Sequence, residues 1–124
     1  MFIKNEYGEY INARNIIAVE VSEDVHGTHL VLYTEHSKVV KAVADGDVPD
    51  VLDMLLHHLR SKYGVHIIHI DNHYLVIEAI DSVLMDAYGL HIKTQCQDFA
   101  IVLSDNERII AIGKLDKYLP VIKF

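Results

Sequence analysis

The stretch "GVHIIHIDNHY" (residues 64–74) places three histidines and an aspartate among isoleucines, and its interpretation decides the fold. In a helix, His66, His69 and His73 would lie on one face and would be able to share a metal ion. The β-branched isoleucines favour a strand instead. Asp71-Asn72 suits a two-residue hairpin turn, because Asn and Asp tolerate a positive φ. The sequence therefore predicts a hairpin.

The predicted hairpin pairs Ile70 with His73, and His69 with Tyr74. His66 and His73 then share a face of the sheet but stand about 13 Å apart, the rise of four strand residues. Zinc requires its histidine nitrogens at roughly 2.0–2.1 Å, so this hairpin alone cannot chelate the ion. We interpret the stretch as the opening hairpin of a second set of strands.

A sequence repeat supports this interpretation. At a shift of 64 positions, "MFIKNEYGEYINARNIIAVEV" (1–21) aligns with "VHIIHIDNHYLVIEAIDSVLM" (65–85). At a shift of 70, residues 29–42 align with residues 99–112, turn with turn and apolar pair with apolar pair. The pattern predicts a tandem duplication within 1–124 as a single domain. The first repeat is 1–63, and the second is 64–124 with a shortened C-terminal helix.

Each half is predicted as a run of short strands, since β-branched residues and turn residues alternate at short spacing. The predicted strands are Phe2–Glu6, Tyr10–Ala13, Ile16–Ser22, Thr28–Thr34, Lys38–Ala44, Val65–Ile70, Tyr74–Glu78, Ile80–Asp86, Leu90–Cys96, Phe99–Ser104 and Arg108–Ile112. Asp105-Asn106 is predicted as a second two-residue turn, like Asp71-Asn72.

One segment, "VPDVLDMLLHHLRSKY" (48–63), carries an apolar stripe at helical spacing. Asp47 is suited to the N-cap, and Gly64 to the residue that follows the last turn. Arg60 and Lys62 lie at the negative end of the helix dipole. The predicted fold class is α+β, with two tandem antiparallel β-meander repeats sharing this one long amphipathic helix.

The segment "YINARNIIAVEV…THLVLYTEHSKVVKAV…VLDMLLHHL" (10–59) resembles a pattern of short bacterial proteins, in which a sheet carries Asn-x-x-x-Ile-x-x-Val-Glu and ends in a helix. In outline it is similar to the small flagellar-operon proteins of the FlbD type. The Pro-Asp-Thr turn of that family is replaced here by "EDVHGT" (23–28). The resemblance implies that the strands of the sheet precede the helix in the chain. It implies no particular site residues.

Composition excludes several classes of protein. The N-terminus lacks a signal peptide pattern, and no apolar run approaches the ~20 residues that span a bilayer. The single Cys96 excludes an intramolecular disulfide and suits a reducing compartment. The net charge of −7 argues against sequence-independent binding to phosphate backbones. We therefore predict an acidic, cytoplasmic, bacterial protein that binds no nucleic acid and no membrane.

Known catalytic motifs are missing from the sequence: there is no Gly-x-Ser-x-Gly elbow, no phosphate-binding glycine loop and no His-Glu-x-x-His. We predict no enzyme activity, no catalytic residue and no cofactor. A histidine site at the junction of the repeats stays open as an alternative. Its residues would be His26, His29, His66, His69 and His91.

The leading functional prediction is a non-enzymatic protein–protein interaction module or small cytoplasmic regulator. The alternative is a small-ligand or metal-binding protein that uses the junction histidines. We also predict a homodimer, because one helix can shield only one sheet face and residues 119–124 are largely apolar. The predicted dimer contact is the C-terminal region, residues 108–124.

Overall fold

The computed structural model describes residues 1–5 and 7–122. Its ten strands are β1 (Phe2–Lys4), β2 (Tyr10–Asn12), β3 (Ile16–Asp24), β4 (Gly27–Thr34), β5 (Lys38–Val43), β6 (Ile67–Ile70), β7 (His73–Val76), β8 (Ile80–Met85), β9 (Gly89–Thr94) and β10 (Asp98–Val102). The two long helices are α1 (Val48–Tyr63) and α2 (Asp105–Tyr118). Single 3-10 turns occur at Ala13–Asn15, Asp45–Asp47 and Ile77–Ala79. The predicted α+β class with antiparallel meanders is confirmed. The predicted first strand extends to Glu6, which lies outside the described residues.

The described strands form three antiparallel sheets. β1 pairs with β2, the five-stranded sheet has the order β5-β4-β3-β7-β6, and the three-stranded sheet has the order β10-β9-β8. Pairing of β3 with β7 joins the first half of the chain to the second. In each half two strands, a 3-10 turn, three strands and a long helix follow one another, and the first half has an additional 3-10 turn, Asp45–Asp47, before its helix. Descent of the halves from a duplicated segment stays a prediction.

β3 supplies side chains to two separate hydrophobic cores. A register shift between Ile16 and Ala18 interrupts the alternation of faces, and a similar shift occurs between Ile80 and Ser82 in β8. One core, which includes Ile16 and Val19, packs against α1. The other includes Ile17 and Ala18 together with strands β6, β7, β9 and β10, and it packs against Ala111 of α2. The five-stranded sheet therefore lies between two cores.

Helix α1 has the predicted bounds and the predicted apolar stripe. Leu52, Leu55, Leu56 and Leu59 are all buried in the first core. The helix ends at Gly64, which adopts a left-handed φ of 66° and donates its N–H to the carbonyl oxygen of Arg60. The hairpin of residues 67–76 also has the predicted register, with Ile70 opposite His73.

Two predictions for the C-terminal region are wrong: the strand at Arg108–Ile112 and the turn at Asp105-Asn106. Both segments lie in helix α2. Ser104 and Glu107 form a capping box, in which each side chain bonds the other residue's backbone N–H. The box satisfies the free N–H groups of the first turn, so the chain begins a helix where a hairpin was predicted. No helix among the described residues is both long and apolar enough to cross a membrane.

Candidate functional site

The five histidines of the predicted junction site lie on different elements. His26 is in the turn between β3 and β4, His29 is on β4, His91 is on β9, His66 precedes β6, and His69 is on β6. His66 Nδ1 lies 2.8 Å from Glu78 Oε1, and His91 Nε2 lies 2.7 Å from Asp86 Oδ2. Within residues 1–5 and 7–122, no three His, Cys, Asp or Glu side chains are close enough to hold one metal ion.

His73 is the histidine buried at the pairing of β3 with β7. Its Nε2 lies 3.5 Å from Glu20 Oε2, and its buried Nδ1 has no hydrogen-bond partner among the described residues. The Tyr33 hydroxyl donates to Glu20 Oε1 at 2.9 Å. Burial lowers the pKa of His73, although the carboxylates of Glu20 and Asp71 oppose the shift. Burial and the Glu20 carboxylate raise the pKa of Tyr33 to about 12. The neutral imidazole of His73 therefore supports the contact between the two halves.

We expect the protein to lose stability as the pH falls below about 6.5, the ordinary pKa of histidine. The folded pKa of His73 is lowered, so below that value the unfolded chain binds more protons than the folded chain. Stability is fully present above this window and decreases as the pH approaches the lowered pKa. Burial lowers the pKa of His69 as well, which adds to the effect.

Urea unfolding at about pH 7.5 and about pH 5 measures this dependence. A His73→Gln variant should lose less stability between the two pH values than the wild-type protein. A His26→Gln variant, changed at an exposed turn, is the matched control and should follow the wild type. An unchanged pH dependence in His73→Gln would contradict the role given to His73.

Carboxylates dominate the hairpin turns of the protein. All six turns between paired strands of the described residues carry at least one, either in the turn or at the adjoining strand end: Glu9, Asp24, Glu35, Asp71, Asp86 and Asp98. Some of them build the turn itself, since Asp86 accepts from the backbone N–H groups of Tyr88 and Gly89. The turn surfaces therefore repel anions.

Positive side chains converge instead on a groove beside the edge strand β6. We call this the β6 groove; its lining residues are Arg60, Ile67, Ile68, His69, Lys114 and Tyr118. The last turn of α1 presents Arg60, α2 presents Lys114 and Tyr118, and the strand forms the floor. The volume of the groove is about 310 Å³. Lys114 Nζ donates to the carbonyl oxygen of His69 at 2.7 Å, which ties α2 to the strand.

Two neighbouring depressions extend the groove along α2. One shares Tyr118 and adds Lys117 and His66, and the other shares Lys114. Lys117 Nζ lies 5.1 Å from the centre of the Tyr118 ring, and the ring of His69 stacks on Tyr74 at 4.1 Å. Among the described carboxylates, none lies within 4.0 Å of the charged groups of Arg60, Lys114 or Lys117. Asp71, Glu78 and Glu107 also line the two depressions, so among the three only the β6 groove itself has cations and no carboxylate in its lining.

The sequence did not predict this surface. Arg60 was interpreted only as a residue that compensates the helix dipole, and Lys114 and Lys117 received no role. The signal was weak, because Arg60 and Lys114 belong to different halves of the chain and meet only in the folded protein.

No family model matches the chain, and no curated protein matches it. Among solved structures, the chain is similar to the "LytTr DNA-binding domain of putative methyl-accepting/DNA response regulator from Bacillus cereus". The TM-score is 0.59 at 9% sequence identity, and the alignment covers 95% of this chain and 96% of the other. At this identity the likeness demonstrates a shared fold.

The likeness corrects several predictions made from the sequence. A protein–protein interaction module, or a small-ligand or metal-binding protein, is contradicted because the structural neighbour is a DNA-binding domain. The prediction that no nucleic acid is bound is contradicted on the same ground. That prediction relied on the net charge and ignored how the charges are distributed.

The homodimer prediction is contradicted as well. It assumed an uncovered sheet face and a strand within residues 108–124. Helix α2 occupies most of that region and packs on the second core through Ala111 and Leu115. Phe124, which was predicted at the dimer contact, lies outside the described residues.

Proposed function

We propose that this protein is a non-enzymatic DNA-binding domain. The observation that carries the proposal is the likeness to the Bacillus cereus LytTr DNA-binding domain over nearly the whole length of both chains. A likeness of this extent includes the arrangement of strands and helices as a whole. No catalytic step forms part of the proposal. A role on DNA also agrees with the cytoplasmic location predicted from the sequence.

The distribution of charge is compatible with this function. A chain of net charge −7 binds DNA only if its positive groups are gathered on one surface, because affinity for DNA depends strongly on neutralised phosphates. The β6 groove gathers such groups, whereas the hairpin turns carry carboxylates. The carboxylates on the rest of the surface weaken non-specific binding to the phosphates of DNA. Sequence-selective contacts therefore supply a larger share of the affinity for DNA.

Selection from a pool of random DNA duplexes, followed by fluorescence anisotropy, tests the function. We expect one sequence motif to be enriched and bound more tightly than its scrambled version. The logarithm of the binding constant should fall linearly with the logarithm of salt, with a slope of about −0.9 for each phosphate contact. No enrichment, together with no binding at about 100 µM protein in low salt, would contradict the proposal, since dissociation constants for non-specific binding are about 1–100 µM even at physiological salt.

A further inference from the structure

We propose that His73, Glu20 and Tyr33 form a proton-operated latch: the neutral imidazole of His73 holds β7 on β3, and its protonation releases the two strands. The strand pairing that the latch controls, which we call the β3–β7 seam, is short. It joins three residues of each strand, and Glu20 lies opposite His73 at one end of it. Because the seam joins the two halves of the described chain, the latch belongs to the fold itself and is independent of DNA binding.

Two hydrogen bonds next to the latch extend the seam by one step. The Val21 N–H donates to the carbonyl oxygen of Asn72 at 2.9 Å, and the Asn72 side-chain amide donates to the carbonyl oxygen of Val21 at 2.8 Å. Because His73 directly follows Asn72 in the chain, movement of the His73 ring away from β3 disturbs both bonds. The Val21 N–H is therefore a local reporter of the state of the seam.

In the closed latch the imidazole of His73 is almost completely enclosed. Its side chain is 10% exposed, and the ring meets Phe99 of β10 edge-on, with the ring centroids 6.5 Å apart. Nε2 faces Glu20 Oε2 at 3.5 Å, whereas the buried Nδ1 has no hydrogen-bond partner among the described residues. The single proton of the neutral ring therefore belongs on Nε2, which faces a carboxylate, and Nδ1 is a bare nitrogen.

A second proton on the ring has to enter at Nδ1. The Nδ1–H group would then be a buried donor without an acceptor on a charged ring, which costs more than a bare nitrogen does. Glu20 faces the other nitrogen, and its second oxygen already accepts from the Tyr33 hydroxyl at 2.9 Å. Burial accordingly lowers the pKa of His73 in spite of the carboxylates of Glu20 and Asp71. Because a ring in water does not carry this cost, protonation favours the open seam.

The imidazole is the group of the latch that changes its charge at about pH 6. The groups around His73 come from several elements: Glu20 from β3, Tyr33 from β4, Ile70 from β6, Asp71 from the adjoining turn and Phe99 from β10. Burial and Glu20 raise the pKa of Tyr33 to about 12, so its hydroxyl stays protonated and keeps its bond to Glu20. Carboxylic acids ordinarily titrate about two pH units below histidine.

A second polar contact between the halves does not depend on protonation. The side chain of Gln97, in the turn between β9 and β10, donates to the carbonyl oxygens of Thr34 and Ser37 in the turn between β4 and β5. Amide and carbonyl groups do not titrate near neutral pH, so this contact persists when the latch opens. Opening is therefore a local change of the seam and not a separation of the two halves.

Native-state hydrogen exchange tests the latch, measured by NMR at about pH 7.5 and about pH 5, with and without about 1 M urea. The Val21 N–H should exchange through a local opening, so its protection, corrected for the intrinsic exchange rate, should not depend on urea. At pH 5 its protection should fall severalfold, up to about 30-fold, the ratio of charged to neutral imidazole at the ordinary histidine pKa of about 6.5. The Leu59 N–H of α1 reports global unfolding, so its protection should decrease with urea.

Three variants identify the group that takes up the proton. In His73→Gln the titrating ring is gone, so the protection of the Val21 N–H should change less than about twofold between the two pH values. Glu20→Gln removes a charge that raises the pKa of His73, so the loss of protection should begin at a lower pH than in wild type. His26→Gln, at an exposed turn, is the matched control and should behave like wild type.

Three results would overturn the latch: protection of the Val21 N–H that depends on urea as strongly as that of the Leu59 N–H, protection that does not fall at pH 5, or a fall that persists in His73→Gln. If His73→Gln does not fold, an NMR titration of the His73 ring in wild type and in Glu20→Gln decides. The latch requires a midpoint below the ordinary value of about 6.5 in wild type and a still lower one in the variant. A midpoint at the ordinary value in wild type, or the same midpoint in both proteins, overturns it.

Discussion

Replacement of Gly89 by alanine should lower the free energy of unfolding by about 3 kcal/mol or more. Gly89 begins β9 with a φ of 156° and pairs with Val102 of β10. A Cβ atom at this position would lie 2.0 Å from the carbonyl oxygen of Ile101 and 2.9 Å from its carbonyl carbon. Because these are backbone atoms of a neighbouring strand, no side chain can move aside, and the three-stranded sheet must distort.

The matched control for Gly89→Ala is Gly113→Ala in helix α2. A Cβ at Gly113 has no described neighbour within 4 Å, and alanine is the better helix former. This variant should be more stable than wild type by about 0.5–1 kcal/mol. Urea unfolding of both variants measures the difference. If Gly89→Ala were as stable as wild type, the close approach of β9 and β10 would be incorrect.

Replacement of Leu59 by alanine should lower the free energy of unfolding by about 3 kcal/mol. Leu59 is 2% exposed and packs in the first core, where α1 covers the five-stranded sheet. Truncation leaves a cavity and removes apolar contacts, and both effects weaken the attachment of the helix. Because α1 also positions Arg60, loss of this packing should disturb the β6 groove as well.

Met54→Ala on the same helix is the control for Leu59→Ala. Met54 is 59% exposed, so its truncation should change the free energy of unfolding by no more than about 0.5 kcal/mol. Equal losses in both variants, measured by urea unfolding, would mean that α1 does not bury the face that contains Leu59.

Local chemistry was sufficient to predict much of the fold. The Asp71-Asn72 turn predicted the register of the β6–β7 hairpin correctly. The apolar stripe, together with Gly64, predicted both ends of α1 correctly. α2 was missed although Ser104 and Glu107 form a capping box. Ile109, Ile110 and Ile112 are exposed on the helix surface, so the segment shows no clear apolar stripe and looks like a strand.

The candidate site was harder to predict than the fold. Its cations come from two helices in different halves of the chain, and the sequence carries no motif that relates them. The net charge argued against DNA binding. It is one sum over the chain, so it does not show that carboxylates lie at the hairpin turns while Arg60 and Lys114 line the β6 groove. A contact surface of this kind depends on tertiary structure, so pattern analysis of a single sequence does not reveal it.

An NMR titration of the ¹⁵N-labelled protein with the selected DNA duplex tests the central claim most directly, because it locates the contact surface residue by residue. We predict that the amide shifts of one contiguous surface change as duplex is added, while a scrambled duplex causes smaller changes. No change at an excess of the selected duplex would contradict the account.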